Sequence, residues 1–466
     1  MPHEIFVIDD QHPEDLAMLQ ALYSRSPASV VTHLDKLKAS GSGKFMENYY
    51  VGYGHASIGD CGSTTIFIEQ VSMLVAKAIQ DNPLYNGQEA STRYLDFSKQ
   101  RVIDPYNNRA GAAIQNRWME IYNRVLPLLT EGLKQRYTFD PAEYKSEKTW
   151  TNALNARAFD IARALLPIGT TTLLSWTTSL RAARDNLRRL KYHPLPEVRE
   201  CAKDIFAKLH SKYPHSFKGN EMDEGADGTR DAYNAAFAAR NHFVTVEDVK
   251  RQFAPGNDEM KEIVNGEIIV RDAAIDIEGL RRNEDMALST RPPGAHLPWR
   301  LESYGRYNFM FLLDFGSFRD LQRHRNGVCQ VPLIDGQFGM NPWYMQQCAE
   351  FLPQGEYEML LSDIKAQFNA IAGLPKQSVV STPMQNQYLY PMGVQVLVHA
   401  SYSVPETVYI GELRSAKTVH PSLRPIAQKM LEIVEHDLPG MAVYGDRDAD
   451  SWSAKRGEQT IASKVA

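Results

Sequence analysis

Two short stretches concentrate groups that bind anions. Residues 318–330, FRDLQRHRNGVCQ, set Arg323, His324 and Arg325 side by side directly after the apolar run YNFMFLLDFGS. Residues 86–98, NGQEASTRYLDFS, put Glu89, Ser91 and Arg93 at alternating positions. In an extended segment, side chains alternate with period two, so these three share one side. A guanidinium offers a planar fork for phosphate oxygens, a serine a short donor, and a glutamate an acceptor for a hydroxyl or a neighbouring cation. That face suits a polar, phosphorylated ligand. An exposed edge strand with ordinary polar residues is the other reading, and spacing alone favours it. On a helix, neighbours differ by about 100°, so Arg323, His324 and Arg325 splay towards different parts of one large anion, or towards different ligands. The other reading of the triplet is a solvated helix end whose cations complement the dipole, and for the triplet alone it is the better one. Cys329, four residues past Arg325, is a nucleophile if the arginines lower its pKa, and otherwise a packed thiol, the commoner case.

The chain that must position these groups has 466 residues, enough for two or three domains. Hydrophobic residues make up 43% and charged residues 23%, as in soluble globular proteins. Lys+Arg number 51 against Asp+Glu 56, a formal charge of −5, which excludes bulk electrostatic binding of nucleic acid and makes any basic cluster local. The four cysteines, Cys61, Cys201, Cys329 and Cys348, lack metal-ligand spacing and read as free thiols in a reducing compartment. The N-terminal stretch lacks the pattern of a signal peptide and no apolar run reaches membrane-spanning length, so a cytoplasmic setting without membrane contact is expected.

Periodicity predicts helices over 11–24, 72–81, 112–137, 152–166, 170–190 and 195–210, and a strand over TTIFIEQ, 64–70. From 211 to 292, Gly, Asp, Glu and Arg dominate. This reads as a linker or insert in which FVTVEDVKRQF and GEIIVRDAAIDIEGL form short elements. The pattern of the first half then returns. A histidine, a turn stretch, a strand-like run and a helix recur, with His55 and His296 standing 241 residues apart. The segments around Pro167 and Pro391 match at an offset of 224. The order of anchors points to an internal duplication, with modules at 1–210 and 293–440 and a loose polar tail at 441–466.

The two anion-binding stretches resemble the split pieces of one signature, that of the flavin-dependent thymidylate synthases. In that family Arg-His-Arg and Glu-x-Ser-x-Arg-Tyr occur together, with seven residues between the last Arg and the Ser. Here the first half has Asp81, Asn82 and Pro83 where Arg-His-Arg belongs, and the second has Val331, Leu333 and Asp335 where Glu, Ser and Arg belong. An Ala-Arg-x-x-Leu-Pro segment with a nucleotide-binding arginine is matched by Ala162, Arg163, Leu166 and Pro167, while the second half reads Gln387 at the arginine. A leucine–arginine pair that contacts uracil is matched by Leu413 and Arg414, and the first half offers Arg189 one position out of register. A flavin-touching His-x-Ser…acid segment is matched by His55, Ser57 and Asp60, against His296 with Pro298 in the second half. The family's flavin-holding Asn-x-Arg reads Ser179 and Arg181 in one half, Ser403 and Pro405 in the other.

The losses are complementary, and family sites draw these groups from two different chains. The resemblance therefore implies an α+β fold of two similar modules with one composite site and one dead one. It implies C5 methylation of dUMP with FAD, methylenetetrahydrofolate and NADPH, and no cysteine attack on uracil. Glu89, Ser91, Arg93, Arg163, Arg323 and Arg414 would bind substrate, with Arg414 polarising the uracil as the catalytic group and Arg93 and Arg163 clamping phosphate. His55, Ser57, Asp60, Arg323, His324 and Arg325 would hold flavin, and no metal is needed. Family assemblies have four modules, so two copies of this chain, a homodimer, would complete the set. The altered flavin-holding residues leave two rivals: a flavin enzyme acting on another pyrimidine nucleotide, and a non-catalytic nucleotide-binding descendant.

Overall fold

The computed structural model describes residues 6, 8–26, 28–40, 42–43, 46, 56–93, 95–107, 109–223, 225, 228–242, 245–248, 270–374 and 384–448. The chain forms two compact units. Residues 1–89 and 172–242 make one, and residues 90–171 and 243–466 make the other. The first cut falls between Glu89 and Ser91, inside the Glu-x-Ser-x-Arg stretch. The units divide the chain by packing, the sequence repeat divides it by order, and the two partitions differ.

In the first unit, strand β1 (Ser63–Ser72) pairs with β2 (Thr171–Ser179) in a two-stranded sheet. Each strand runs straight into a helix, β1 into Met73–Gln80 and β2 into Leu180–Leu190. At both junctions a serine hydroxyl accepts the N–H of the residue three on: Ser72 from Val75 at 3.3 Å and Ser179 from Ala182 at 3.1 Å. These caps satisfy otherwise orphaned donors and fix where each helix begins. The helical reading of 170–190 thus fails over its first half. The run TTLLSWTTS is β-branched and aromatic, which crowds a helical turn and suits a pleated strand. The helices Pro13–Tyr23 and Pro196–Lys212 agree with the periodicity.

The second unit holds a four-stranded antiparallel sheet in the order β3-β4-β6-β5, from Val270–Ile275, Gly305–Asp314, Gln395–Ser403 and Val328–Gln330. Its central pair runs in register from Arg306 opposite Ser403 to Asp314 opposite Gln395. Tyr307, Phe309, Phe311 and Leu313 point alternately from β4 to one face and are fully buried. The strands again lead into capped helices, β4 into Phe315–Leu321 through Asp314 and β6 into Val404–Ser415 through Ser403. The long helix Arg109–Arg136 and the helix Glu147–Ala162, followed by one tight turn at Arg163–Leu165, belong to this unit although they precede the repeat in sequence. The architecture is α+β, as expected.

A local two-fold relation is built into this unit. Ile168 donates its N–H to Tyr390 O and Met392 to Leu166 O, both at 2.8 Å; Gly169 donates to Tyr388 O and Gly393 to Ala164 O. Shifting each donor and acceptor by 224 residues turns one bond of each pair into the other, which is how an isologous contact behaves. A side chain at Gly393 would meet the Ala164 Cβ at 2.6 Å, and one at Gly169 the buried Gln115 Oε1 at 2.4 Å and the Ile103 carbonyl oxygen at 2.9 Å, so both crossing points need glycine.

The interval 211–292 carries more structure than a linker does. It holds the helix Gly228–His242, β3 on the edge of the sheet, and the helix Ile277–Ser289 with Leu280 and Leu288 buried. Most of FVTVEDVKRQF lies outside the described residues. The start of the polar tail is also tied down, through Asp446 N–H on Ser415 Oγ and Arg424 on Asp448 O. Residues 449–466 lie outside the described set.

Candidate functional site

The site is built from one buried carboxylate upward. Asp160, near the end of the helix Glu147–Ala162, has no exposed surface and accepts both Nε and Nη2 of Arg93, at 2.6 and 3.0 Å. Arg93 Nη1 donates to Thr418 O at 3.3 Å, tying the motif from the first half to a loop of the second. The Ser91–Arg93 segment is a turn, not an extended strand, because Ser91 Oγ accepts the Arg93 N–H at 3.4 Å. Glu89 therefore does not share a face with them. It lies in the first unit, where its Oε2 accepts from Gln80 at 2.8 Å.

Arg163, only 2% exposed, gives Nε to Tyr344 OH at 3.0 Å and Nη2 to Ser317 Oγ at 2.7 Å and Asp314 Oδ2 at 3.4 Å. Tyr344 OH donates in turn to Asp314 Oδ2 at 2.9 Å, and Ser422 Oγ donates to Asp314 Oδ1. Asp314 is thus at once the helix cap and the counter-ion of Arg163. His420, wholly buried, has Nδ1 2.8 Å from Ser422 Oγ and Nε2 3.2 Å from Asp160 O. Burial first, and then the Arg163 and Arg93 charges, keep its imidazole neutral well below the usual range.

The Arg-His-Arg triplet follows the helix Phe315–Leu321, with Arg323 in a turn and His324 and Arg325 in the irregular stretch after it. Arg323 Nη2 reaches back one turn to Asp320 Oδ1 at 3.5 Å and keeps 39% of its side chain exposed. His324 is buried, and its Nε2 accepts Arg414 Nε at 2.9 Å. Burial first, and then Arg414, push its pKa down to about 3, so the ring is neutral. Arg414 Nη2 also donates to the Asp320 carbonyl at 2.7 Å. Burial alone would raise the Asp320 carboxyl, but Arg323, Arg93, Arg163 and Arg414 together hold it below the usual range. Four arginines expected from the motifs therefore act on one aspartate. Arg93 is matched by Asp160 and Arg163 by Asp314, whereas Arg323 and Arg414 share Asp320. With His324 neutral, positive charge is in surplus at the exposed Arg323 side, which favours an anion.

The remaining expected residues are placed as follows. In the first unit Ser57 opens the short helix Ser57–Asp60, and Asp60 Oδ1 accepts Arg181 Nε at 2.8 Å and Ser179 Oγ at 3.2 Å. These are flavin positions of the motif comparison brought together. His55 lies outside the described residues. Arg325 follows His324 in the same irregular stretch, and Cys329 lies in β5 opposite Ala400. Among the described residues no cluster of His, Cys, Asp and Glu has the geometry of a metal site, and no helix is long and apolar enough to cross a membrane. Sequence reading missed Asp160, Asp314, Asp320, Tyr344 and His420. Asp320 alone left a local signal, its i,i+3 spacing from Arg323; the others meet their arginines across many tens of residues.

Residues 7–215 match the family described as "Thymidylate synthase complementing protein". The match lies in the first half of the chain. The thymidylate synthase complementing match ends before Arg323, His324, Arg325 and Arg414, whose resemblance rests on their motifs. Relatives extend over both halves. A UPF0159 protein of Thermoplasma acidophilum is 23% identical over 92% of this chain and 94% of its own length. UPF0159 proteins of Chlamydia muridarum, at 24% identity over 82% of this chain and 76% of theirs, and of Chlamydia pneumoniae, at 22% over 84% and 78%, are similar as well.

Proposed function

We propose that this protein carries out flavin-dependent C5 methylation of dUMP, with methylenetetrahydrofolate and NADPH, at one composite site. The observation that supports this best is the convergence of Arg93, Arg163, Arg323 and Arg414, from both halves of the sequence, on Asp320 in one compact unit. The family match adds the reaction class. In this reading Arg93 and Arg323 hold the nucleotide phosphate, with Ser91 beside them. Arg163, enclosed by Asp314, Ser317 and Tyr344, supports the phosphate site from behind rather than clamping it. Arg414 presents its remaining edge to the uracil, where negative charge grows as the ring is activated; a fixed donor there stabilises the transition state more than the bound substrate.

A bound flavin is part of this reading, and Arg323, two-fifths exposed, can reach it. Within the second unit, Arg323, His324 and Arg325 are the proposed flavin contacts. The bound FAD would supply hydride, and the arginines would orient the nucleotide and offset its charge. A homodimer of two-module chains is part of the same proposal.

A yellow flavin spectrum of the purified protein, together with tritium release from 5-tritiated dUMP in the presence of methylenetetrahydrofolate and NADPH, is the expected result. Flavin without tritium release under any carbon donor turns the reading to another pyrimidine nucleotide, a rival motivated by Ser179 standing where the family has asparagine. Nucleotide binding without flavin or turnover leaves a non-catalytic binder.

A further inference from the structure

We propose that Glu406 is a positioning residue that holds Arg414 in place through His324. The inference deepens the function proposed above and rests on its assignment of Arg414. Arginine donates only, so the 2.9 Å bond from Arg414 Nε makes His324 Nε2 an acceptor. The ring proton of neutral His324 must then sit on Nδ1, the nitrogen facing Glu406 Oε1 at 3.7 Å. Glu406 is buried, and Asn326 hydrogen-bonds the same carboxylate. The Tyr409 ring stands edge-on to His324, with centroids 5.8 Å apart, and limits its rotation. The chain Glu406, His324, Arg414 then leaves the guanidinium anchored at Nε by the imidazole and at Nη2 by the Asp320 carbonyl. Two fixed donors orient the third edge without occupying it.

Glu406 also stands three residues past the helix cap Ser403, where a glutamate often returns to bond the cap's own N–H. Its backbone N–H does take the Ser403 hydroxyl, at 3.4 Å, but its carboxylate faces His324. In the first half the equivalent positions, 224 and 242 residues earlier, are Ala182 and Asn82. There the cap is kept and the glutamate–histidine pair is absent, so the cap does not require the glutamate.

Long-range proton–nitrogen NMR of the full chain labelled on histidine, at pH 7, reads the tautomer directly. His324, assigned by loss of its signals in His324→Gln, should be in the Nδ1–H form in wild type and in Glu406→Gln, whose amide oxygen keeps an acceptor beside that nitrogen. Glu406→Leu should lose this single form. In turnover, Glu406→Gln should stay near wild type, and Glu406→Leu should lose about tenfold or more in kcat with KM for the nucleotide little changed, as for a misplaced reacting group. An Nε2–H tautomer in wild type, or an unchanged tautomer in Glu406→Leu, overturns the proposal whatever the activity. The expected tautomers in a protein that makes no product leave the positioning intact and refute the enzymatic reading instead.

Discussion

The two halves of the sequence build the same pieces and use them differently. In each, two strands run into helices through a capping side chain: Ser72 and Ser179 in the first, Asp314 and Ser403 in the second. Ser72 and Asp314 stand 242 residues apart, Ser179 and Ser403 224. Arg189 and Arg414 even share an anchor, since each reaches the carbonyl of an equivalent residue, Ala78 at 3.5 Å and Asp320 at 2.7 Å. Beyond that they diverge. Arg189 donates Nε and Nη2 to Asn186 of its own helix, at 3.2 and 2.8 Å. Arg414 bonds His324, a residue that exists only in the second half. The caps and strands answer to local backbone needs and persist wherever the fold does. The chemistry needs partners from elsewhere, and substitution of one partner removes it without disturbing the scaffold.

The largest difference to test is in the sheets. Phe67 of β1 is 76% exposed, whereas its equivalent Phe309 of β4 is completely buried. Phe309→Ala should cost about 3–5 kcal/mol, through lost burial and a cavity, and Phe67→Ala should stay within about 0.5 kcal/mol. Chemical denaturation of the two variants decides this. Equal losses would mean that the β1 face is covered in solution and that the halves are alike after all.

Next comes the arginine pair. Arg414→Ala should retain flavin and most nucleotide affinity while turnover falls at least about a hundredfold, a typical loss for one preorganised donor. Arg189→Ala should leave turnover within about twofold, because its bonds stay within its own unit. Tritium release under saturating dUMP separates the two. Activity surviving in Arg414→Ala but not in Arg189→Ala would exchange the roles of the halves.

A third test is in acid. Burial, the largest cause for each, holds His324 at about 3, His399 at about 4 and His420 well below its usual value; all three lie in the second unit. Unfolded histidines titrate near 6.5, so below about 6.5 the unfolded chain takes up protons that the folded one refuses. Stability should therefore fall on acidification, by about 1.4 kcal/mol per pH unit for each such histidine, until the folded group titrates. Asp320, held low by its arginines, adds a loss of the same sign below about pH 4. Melting curves from pH 7 to 4.5 should show the slope, and His324→Gln should lessen it by one histidine's share. A melting temperature that rises on acidification contradicts neutral burial.

Much of this was readable in the chain. Helical periodicity located Arg109–Arg136 and Pro196–Lys212, and the β-branched run TTIFIEQ located β1, because apolar spacing is a local property. The segment TTLLSWTTS misled for the same reason: its apolar residues fit a helical window, and only the β-branched content and the Ser179 cap mark it as strand. Arg93, Arg163, Arg323, His324 and Arg414 were legible as residues but not in their environments. Sequence suggested that Arg163 reaches a phosphate, whereas the fold encloses it with Asp314, Ser317 and Tyr344.

By itself, then, the sequence determined the strand–cap–helix pieces and which half carries which charged groups, since both are written in neighbouring residues. Tertiary structure alone decided that Asp160 meets Arg93 within residues 90–171, that this segment packs with 243–466 and so brings Asp314 to Arg163, and that Asp320 lies among four guanidinium groups. Pairings of this kind join residues far apart in the chain. Their strength depends on burial and on charge summed over several elements, and no local stretch of sequence contains either quantity.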